Sequence, residues 1–443
     1  MNAAMHNREY LKKELQECTK RFEDYREQGL ALNLSRGKPC KEQLDLSMKM
    51  MDTLNSHSVL DSEDGTDCRN YGGADGIPEA KKLMGDLMGV NPRNVMVFDN
   101  SSLNLMFQVI AHGMIDGLSG CEPFIKQEKR KFLCPAPGYD RHFAITERFG
   151  FELITIPMRE DGPDMELVKE YVEKDETVKG IWCVPKYQNP TGIVFSDEVV
   201  NKFADLNPKA ADFRIYWDNA YCVHALYRDQ DRELPDILKL CEEAGHPDMV
   251  YEFCSTSKIT FAGDGISAIA SSAGNLIDLK NYFKYETIGP DKINQLRQVR
   301  FLRNLSHVKH HMEKHAEIMR PKFEMVESIL EKEVGGLDIA EWTNPKGGYF
   351  ISLNTLPGCA KEVVRLCKEA GVTFTPAGAT YPYGIDPEDK NIRLAPSFAS
   401  SDEIRLATQI LTVCIKLASF RKLLADQEQN EEVEEKEMLG TAV

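Results

Sequence analysis

Between about residues 75 and 290 the sequence alternates short apolar runs with helical stretches, and this alternation constrains the fold more than any other feature. Val95 to Phe98, Lys131 to Cys134, Glu152 to Pro157, Gly180 to Pro185, Arg214 to Trp217, Met249 to Phe253 and Ala268 to Ser272 read as strands. Seven strands separated mostly by helices predict an α/β domain with a seven-stranded, mainly parallel sheet. Before it, Tyr10, Leu11, Leu15, Phe22 and Tyr25 fall near helical spacing and Gly29 stops the helix, after which Ala31 to Pro39 reads as an extended arm. Beyond it, one long helix is expected from about Asp291 to Glu333. Strands at Gly348 to Leu353, Val372 to Pro376 and Asn391 to Ala395 then join helices near 361–370 and 401–424. The expectation is a large domain over residues 49–310 and a smaller α/β domain over 311–425 that also takes in the N-terminal helix and arm of residues 1–48. The acidic stretch after residue 426 is expected to be a frayed helix or disordered.

A chain of 443 residues is long enough for one large core and a smaller one. Its net charge of -16 argues against a nucleic-acid partner, since phosphate backbones call for a basic surface. Twelve cysteines without a Cys-x-x-Cys pair are no disulfide framework, and no apolar signal follows Met1, so a reducing cytoplasm is the expected compartment. No apolar run approaches the roughly 20 residues of a membrane span.

The chemistry is concentrated where predicted strands end. Pro185-Lys186-Tyr187-Gln188-Asn189-Pro190-Thr191-Gly192 supplies an amide in a rigid turn, Tyr216-Trp217-Asp218-Asn219-Ala220-Tyr221 an acid and a phenol three residues apart, and Cys254-Ser255-Thr256-Ser257-Lys258 an amine among hydroxyls. Pyridoxal 5'-phosphate requires a lysine for its aldehyde, an anion for its ring nitrogen, donors for its phenolic oxygen, and hydroxyls or backbone N–H groups for its phosphate. Taken singly, each group has a plainer use: Lys258 as a surface lysine, Asp218 as a helix cap, Asn-Pro-Thr-Gly as a turn, and Tyr139 as core.

The order Asn189, Asp218, Tyr221, Lys258, Arg393 resembles the class I aminotransferases of the fold type I pyridoxal phosphate enzymes, from about residue 30 to 415. Leu34-Ser35-Arg36-Gly37-Lys38-Pro39, Asp99-Asn100-Ser101-Ser102-Leu103 and Pro137-Gly138-Tyr139-Asp140-Arg141-His142 are most similar to a bacterial aspartate aminotransferase subgroup related to MocR-type catalytic domains. The resemblance implies that Lys258 binds the cofactor and moves the substrate proton. It implies that Asp218 faces the ring nitrogen with His142 behind it, that Tyr221 and Asn189 donate to the phenolic oxygen, and that Tyr139 stacks on the ring. Ser101, Ser102, Ser255 and, more weakly, Ser257 would hold the phosphate, with the first two at a helix N-terminus that suits an anion. Tyr71 would reach that phosphate from the neighbouring subunit of a homodimer. Arg393, with Arg36 and Asn189, would bind the substrate α-carboxylate, because a guanidinium matches a carboxylate better than an ammonium does. Arg141, Lys292 and Arg297 are candidates for a distal carboxylate.

One departure from the family pattern stands out. The arginine usually found about eight residues after the lysine is Ile266 here. His307, His310, His311 and His315 could form a metal ladder, but with no carboxylate motif or cysteine ligands a solvated helix face is expected and no metal is assigned. The substrates implied are L-aspartate and 2-oxoglutarate. Aminotransfer from other amino acids such as alanine, a β-lyase, and a non-catalytic MocR-like regulatory domain are the alternatives. The last is disfavoured because only about 30 residues precede Ser35.

Overall fold

The computed structural model describes Met5 and residues 7–440, with side chains through residue 432. Its centre is an eight-stranded sheet in the order Val95–Phe98, Ser267–Ala270, Val250–Ser255, Arg214–Asp218, Val178–Cys183, Lys131–Ala136, Glu152–Arg159, Gly162–Pro163. The five strands from Val250–Ser255 to Glu152–Arg159 are mutually parallel, while Ser267–Ala270 runs against both of its neighbours. The seven expected strands are all present. The eighth, Gly162–Pro163, is a two-residue pairing with Met158 and Arg159, too short to leave an apolar run in the sequence.

Side chains alternate across this sheet, as the pleat requires. Ile181, Cys183, Ile215, Trp217, Val250 and Cys254 enter one buried cluster, and Trp182, Tyr216, Tyr251 and Phe253 enter another. Both faces are therefore covered, which explains why the strands read as continuous apolar runs rather than alternating ones. Trp217 lies edge-on to Phe195 and Phe203 with centroids 5.7 and 5.6 Å away, so its truncation to alanine should cost about 3–5 kcal/mol.

A second core holds the C-terminal elements together with the N-terminal ones. Ala340–Trp342, Ile351–Thr355 and Asn391–Leu394 form an antiparallel sheet. The expected third strand at Val372 instead pairs, over Val372–Thr373, in parallel with Leu32–Asn33 of the N-terminal arm. Helix Arg8–Arg26 begins at Asn7, whose side chain accepts from the Tyr10 N–H, and it packs along helix Ser401–Gly440.

One further expectation changes. The single helix from 291 to 333 is two, Lys292–Leu302 and Leu305–Val334. Arg303 takes φ 61°, which no α-helix accommodates, and the Asn304 side chain caps the second helix by accepting from the His307 N–H. The acidic tail continues as helix through Gly440, and Arg8 ties it down by donating to Glu428 at 2.7 Å and Glu431 at 2.8 Å. Among the described residues no helix is long and apolar enough to cross a membrane.

Candidate active site

The parallel strands deliver their following residues to one edge of the sheet, where doubly wound folds bind ligands. Asp218 closes the strand Arg214–Asp218 and is 4% exposed. His142 Nε2 donates to its Oδ2 at 2.9 Å, and the imidazole is itself stacked on Trp182, with centroids 4.6 Å apart and planes 15° from parallel. The other oxygen, Oδ1, is buried and has no partner among the described residues. No helix begins at Asp218, so the capping use is excluded. A buried carboxylate with one oxygen unmatched calls for an external donor. The protonated ring nitrogen of a pyridoxal group is such a donor.

Lys258 follows the strand Val250–Ser255, and its Nζ lies 4.8 Å from the centroid of the Tyr221 ring. Tyr221 is fully enclosed, and burial, then the charge of Asp218, push its hydroxyl pKa up. Tyr139 belongs to the same group: burial raises its hydroxyl to about 12, Lys258 opposes the shift, and Tyr221 and Asp218 add to it. Both phenols therefore stay protonated and act as donors at neutral pH. Tyr139 also meets His142 edge-on at 4.9 Å.

Asn189 is 3% exposed, with Oδ1 accepting from Arg393 Nη1 at 3.3 Å. Its turn is braced by Gln188, whose Oε1 accepts from the Thr191 N–H and Oγ1 and whose Nε2 donates to Pro137 O. The same residues thus form the turn and present the Asn189 amide. Arg393 is buried, lies 5.0 Å from the Phe350 ring, and donates to Asp140 Oδ1 at 2.8 Å and Thr375 Oγ1 at 3.4 Å. Thr375 in turn donates to Ser35 O of the N-terminal arm. Gly37 packs so closely there that a Cβ would come within 2.3 Å of Phe350 Cζ. This closeness brings the arm over the site, with the Arg36 side chain exposed.

Ser101 adopts φ 89° and ψ 108°, a strained state for a residue with a Cβ, immediately before helix Ser102–Ile115, and its hydroxyl does not cap that helix. Free helix N–H groups presented beside an unengaged serine suit a phosphate. Ser102 and Ser255 are buried, at 7% and 8% exposure. Ser257 differs: its Oγ donates to Asn100 Oδ1 at 2.6 Å, an oxygen that also accepts from Gly265 N. Asn100 Nδ2 donates to Ala262 O, so this one amide pins the 257–265 loop to the segment that precedes helix Ser102–Ile115. Ile266 is wholly buried and hydrogen-bonded through its backbone to Thr256, leaving no cation at that position.

Other candidates are placed elsewhere. Tyr71 is 79% exposed. Lys292 Nζ donates to Gly72 O at 2.8 Å, Arg297 is paired with Asp264, and Arg141 is exposed. The solvated histidine face is half wrong. His310 is exposed, but His311 and His315 point inward at 6% and 2% exposure. His311 Nε2 lies 3.0 Å from Ile259 O, directly after the lysine, and 3.2 Å from His315 Nε2. Gln43 Nε2 bridges His315 Nδ1 and the Tyr349 hydroxyl, each at 3.1 Å. Among the described residues no cluster fit for a metal is present. The partners missed from sequence are Asp140, Asn100, Thr375 and the histidine network. Only Asp140 carried a local signal, an acid in the first turn of helix Asp140–Arg148.

Residues 7–428 match the family model described as aspartate amino-transferase. The chain belongs to that aminotransferase family. It is 44% identical over 405 residues to the aspartate aminotransferase of Corynebacterium glutamicum, covering 91% of this chain and 93% of that protein. The crystal structure of an aspartate transaminase from Corynebacterium glutamicum superposes with a TM-score of 0.91 at 44% identity, over 94% of this chain and 97% of the other. An α-aminoadipate aminotransferase from Thermus thermophilus, solved with N-(5'-phosphopyridoxyl)-L-leucine, shares the fold at 20% identity with a TM-score of 0.68, over 89% and 93% of the two chains. The family's enzymes are transaminases, and this aminotransferase is one of them.

Proposed function

We propose that this aminotransferase uses pyridoxal 5'-phosphate to move an amino group from L-aspartate to 2-oxoglutarate. The observation that carries the cofactor is the unpartnered Oδ1 of Asp218, backed by His142 and within electrostatic reach of Tyr221. Support for aspartate comes from the 44% identical aspartate aminotransferase. When bound, the cofactor supplies an electron sink for the bond broken at the substrate Cα and carries the amino group between the two half-reactions.

The chain's residues divide that work. Lys258 Nζ would hold the cofactor and would serve as the base that moves the proton at the substrate Cα. Asp218 would keep the ring nitrogen protonated, since a buried carboxylate favours a cation next to it. Tyr221 and Asn189 donate to the phenolic oxygen. Ser101, Ser102 and Ser255 would hold the phosphate, while Ser257 is fixed to Asn100 beside them. Arg393 binds the α-carboxylate and the arm around Arg36 closes over it. Tyr71 is 79% exposed in one chain and would serve the partner's phosphate site in a homodimer with shared sites. We read residues 49–310 as the cofactor domain and 311–425, with the N-terminal arm, as the domain that carries Arg393.

The decisive experiment mixes reconstituted protein with each amino acid separately and follows conversion of the bound cofactor from its aldehyde to its amine absorption. L-Aspartate should give the fastest conversion, reversed by 2-oxoglutarate. Conversion by alanine but not aspartate would overturn the substrate assignment.

A further inference from the structure

The guanidinium of Arg393 is already engaged by a carboxylate of its own chain. Arg393 lies in the strand Asn391–Leu394, Asp140 opens the helix Asp140–Arg148, and Nη1 of the first donates to Oδ1 of the second at 2.8 Å across 253 residues of sequence. The two partners are unequally buried: the arginine side chain is 7% exposed and the aspartate 34%. The pair Lys179–Asp212 is a useful contrast, at 7% and 6%. There, neither partner can leave without stranding the other in the core, so the pair is permanent.

Asp140 can leave. Water can solvate its carboxylate, and the first turn of a helix favours negative charge whether or not an arginine is near. Arg393 has no such freedom, because it is enclosed between Phe350, Asn189 and Thr375 and must keep an anion. It also has donors to spare. Among the described residues its buried Nε has no partner, and Nη2 reaches only Thr375 Oγ1, at 3.4 Å.

We propose that Asp140 is an internal carboxylate that holds Arg393 until a substrate carboxylate replaces it, so that this residue sets substrate affinity. The inference rests on reading Arg393 as the α-carboxylate site. Binding is then an exchange of one carboxylate for another on the same guanidinium. Every substrate competes with Asp140, and removing the competitor tightens binding.

The test uses the Asp140→Asn and Asp140→Ala holoenzymes. KM for L-aspartate and 2-oxoglutarate is measured, together with the dissociation constant of succinate, a dicarboxylate with no amino group to react. Removing the competing charge should lower all three constants roughly five- to tenfold, with a smaller change in kcat. Asparagine keeps the size and the acceptor oxygen, so its effect isolates charge from packing. Arg393→Ala is the companion variant and should raise KM by at least roughly thirtyfold. If Arg393→Ala leaves KM unchanged, the carboxylate site itself is misassigned. If it raises KM while both Asp140 variants leave the constants unchanged or raise them, Asp140 serves to orient Arg393 and the exchange proposal alone is overturned.

Discussion

The two ends of the site are built on different principles. At the sheet end, Asp218 is locked by His142, which is locked in turn by stacking on Trp182, and all three are almost without exposure. At the opposite end, Arg393 is held by a half-exposed aspartate, an amide and a distant hydroxyl. The contrast follows from what each end must do. A group that stays through every turnover is best met by a rigid, fully enclosed partner, whereas a carboxylate that arrives and leaves needs one that can be exchanged at low cost.

Breaking the locked end should have the larger effects. Lys258→Ala should lose the covalent hold on the cofactor, seen as loss of the bound-aldehyde absorption, and reduce kcat by about 10,000-fold. Retention of full activity would reject the mechanism. Asp218→Ala should lower kcat by roughly 100- to 1,000-fold, because it removes the anion facing the cofactor and strands the buried His142 Nε2. Steady-state kinetics on cofactor-saturated protein would measure this. An effect below tenfold would mean that the unmatched Oδ1 faces nothing of catalytic consequence.

At the exchangeable end the expected effects are smaller and fall on binding. Gly37→Ala places a Cβ against the Phe350 ring on which Arg393 rests, so the arm must shift, and KM should rise about tenfold while the absorption of the bound cofactor stays as it was. Equal losses in KM and cofactor affinity would erase the distinction between the two ends.

The smallest effect concerns stability. Burial, and then His311, depress the pKa of His315 to about 3, while an unfolded histidine titrates near 6.5. The folded state cannot take up that proton until far lower pH, so stability is complete above about pH 6.5 and is lost as pH falls from there toward 3. Near pH 5 the loss should be on the order of 1–2 kcal/mol, measurable as a fall in Tm between pH 7 and 5 that His315→Gln reduces. An unchanged pH dependence in the variant would place the titration elsewhere.

Much of this was legible locally. Each strand of the parallel sheet is a self-contained apolar run, and the residues after those strands fall at one edge by topology alone, so the sequence suffices to group Asp218, Tyr221 and Lys258. The histidines show the limit of such reasoning. Their spacing put His307, His311 and His315 on one helical face, but which way that face turned depended on the break at Arg303 and on Gln43, more than 260 residues away. Asp140 lies inside the Pro137–His142 motif at the start of a helix, yet its partner Arg393 lies in a strand of the second core.

The sequence by itself determined the α/β alternation, the strand ends and the order of chemical groups along them, because these are set by short-range periodicity and by residue type. Only the tertiary structure decided which oxygen of Asp218 is left unmatched, that Asn100 takes the Ser257 hydroxyl, and that Asp140 holds Arg393. Those outcomes depend on distances between segments far apart in the chain, and packing fixes such distances where local preference cannot.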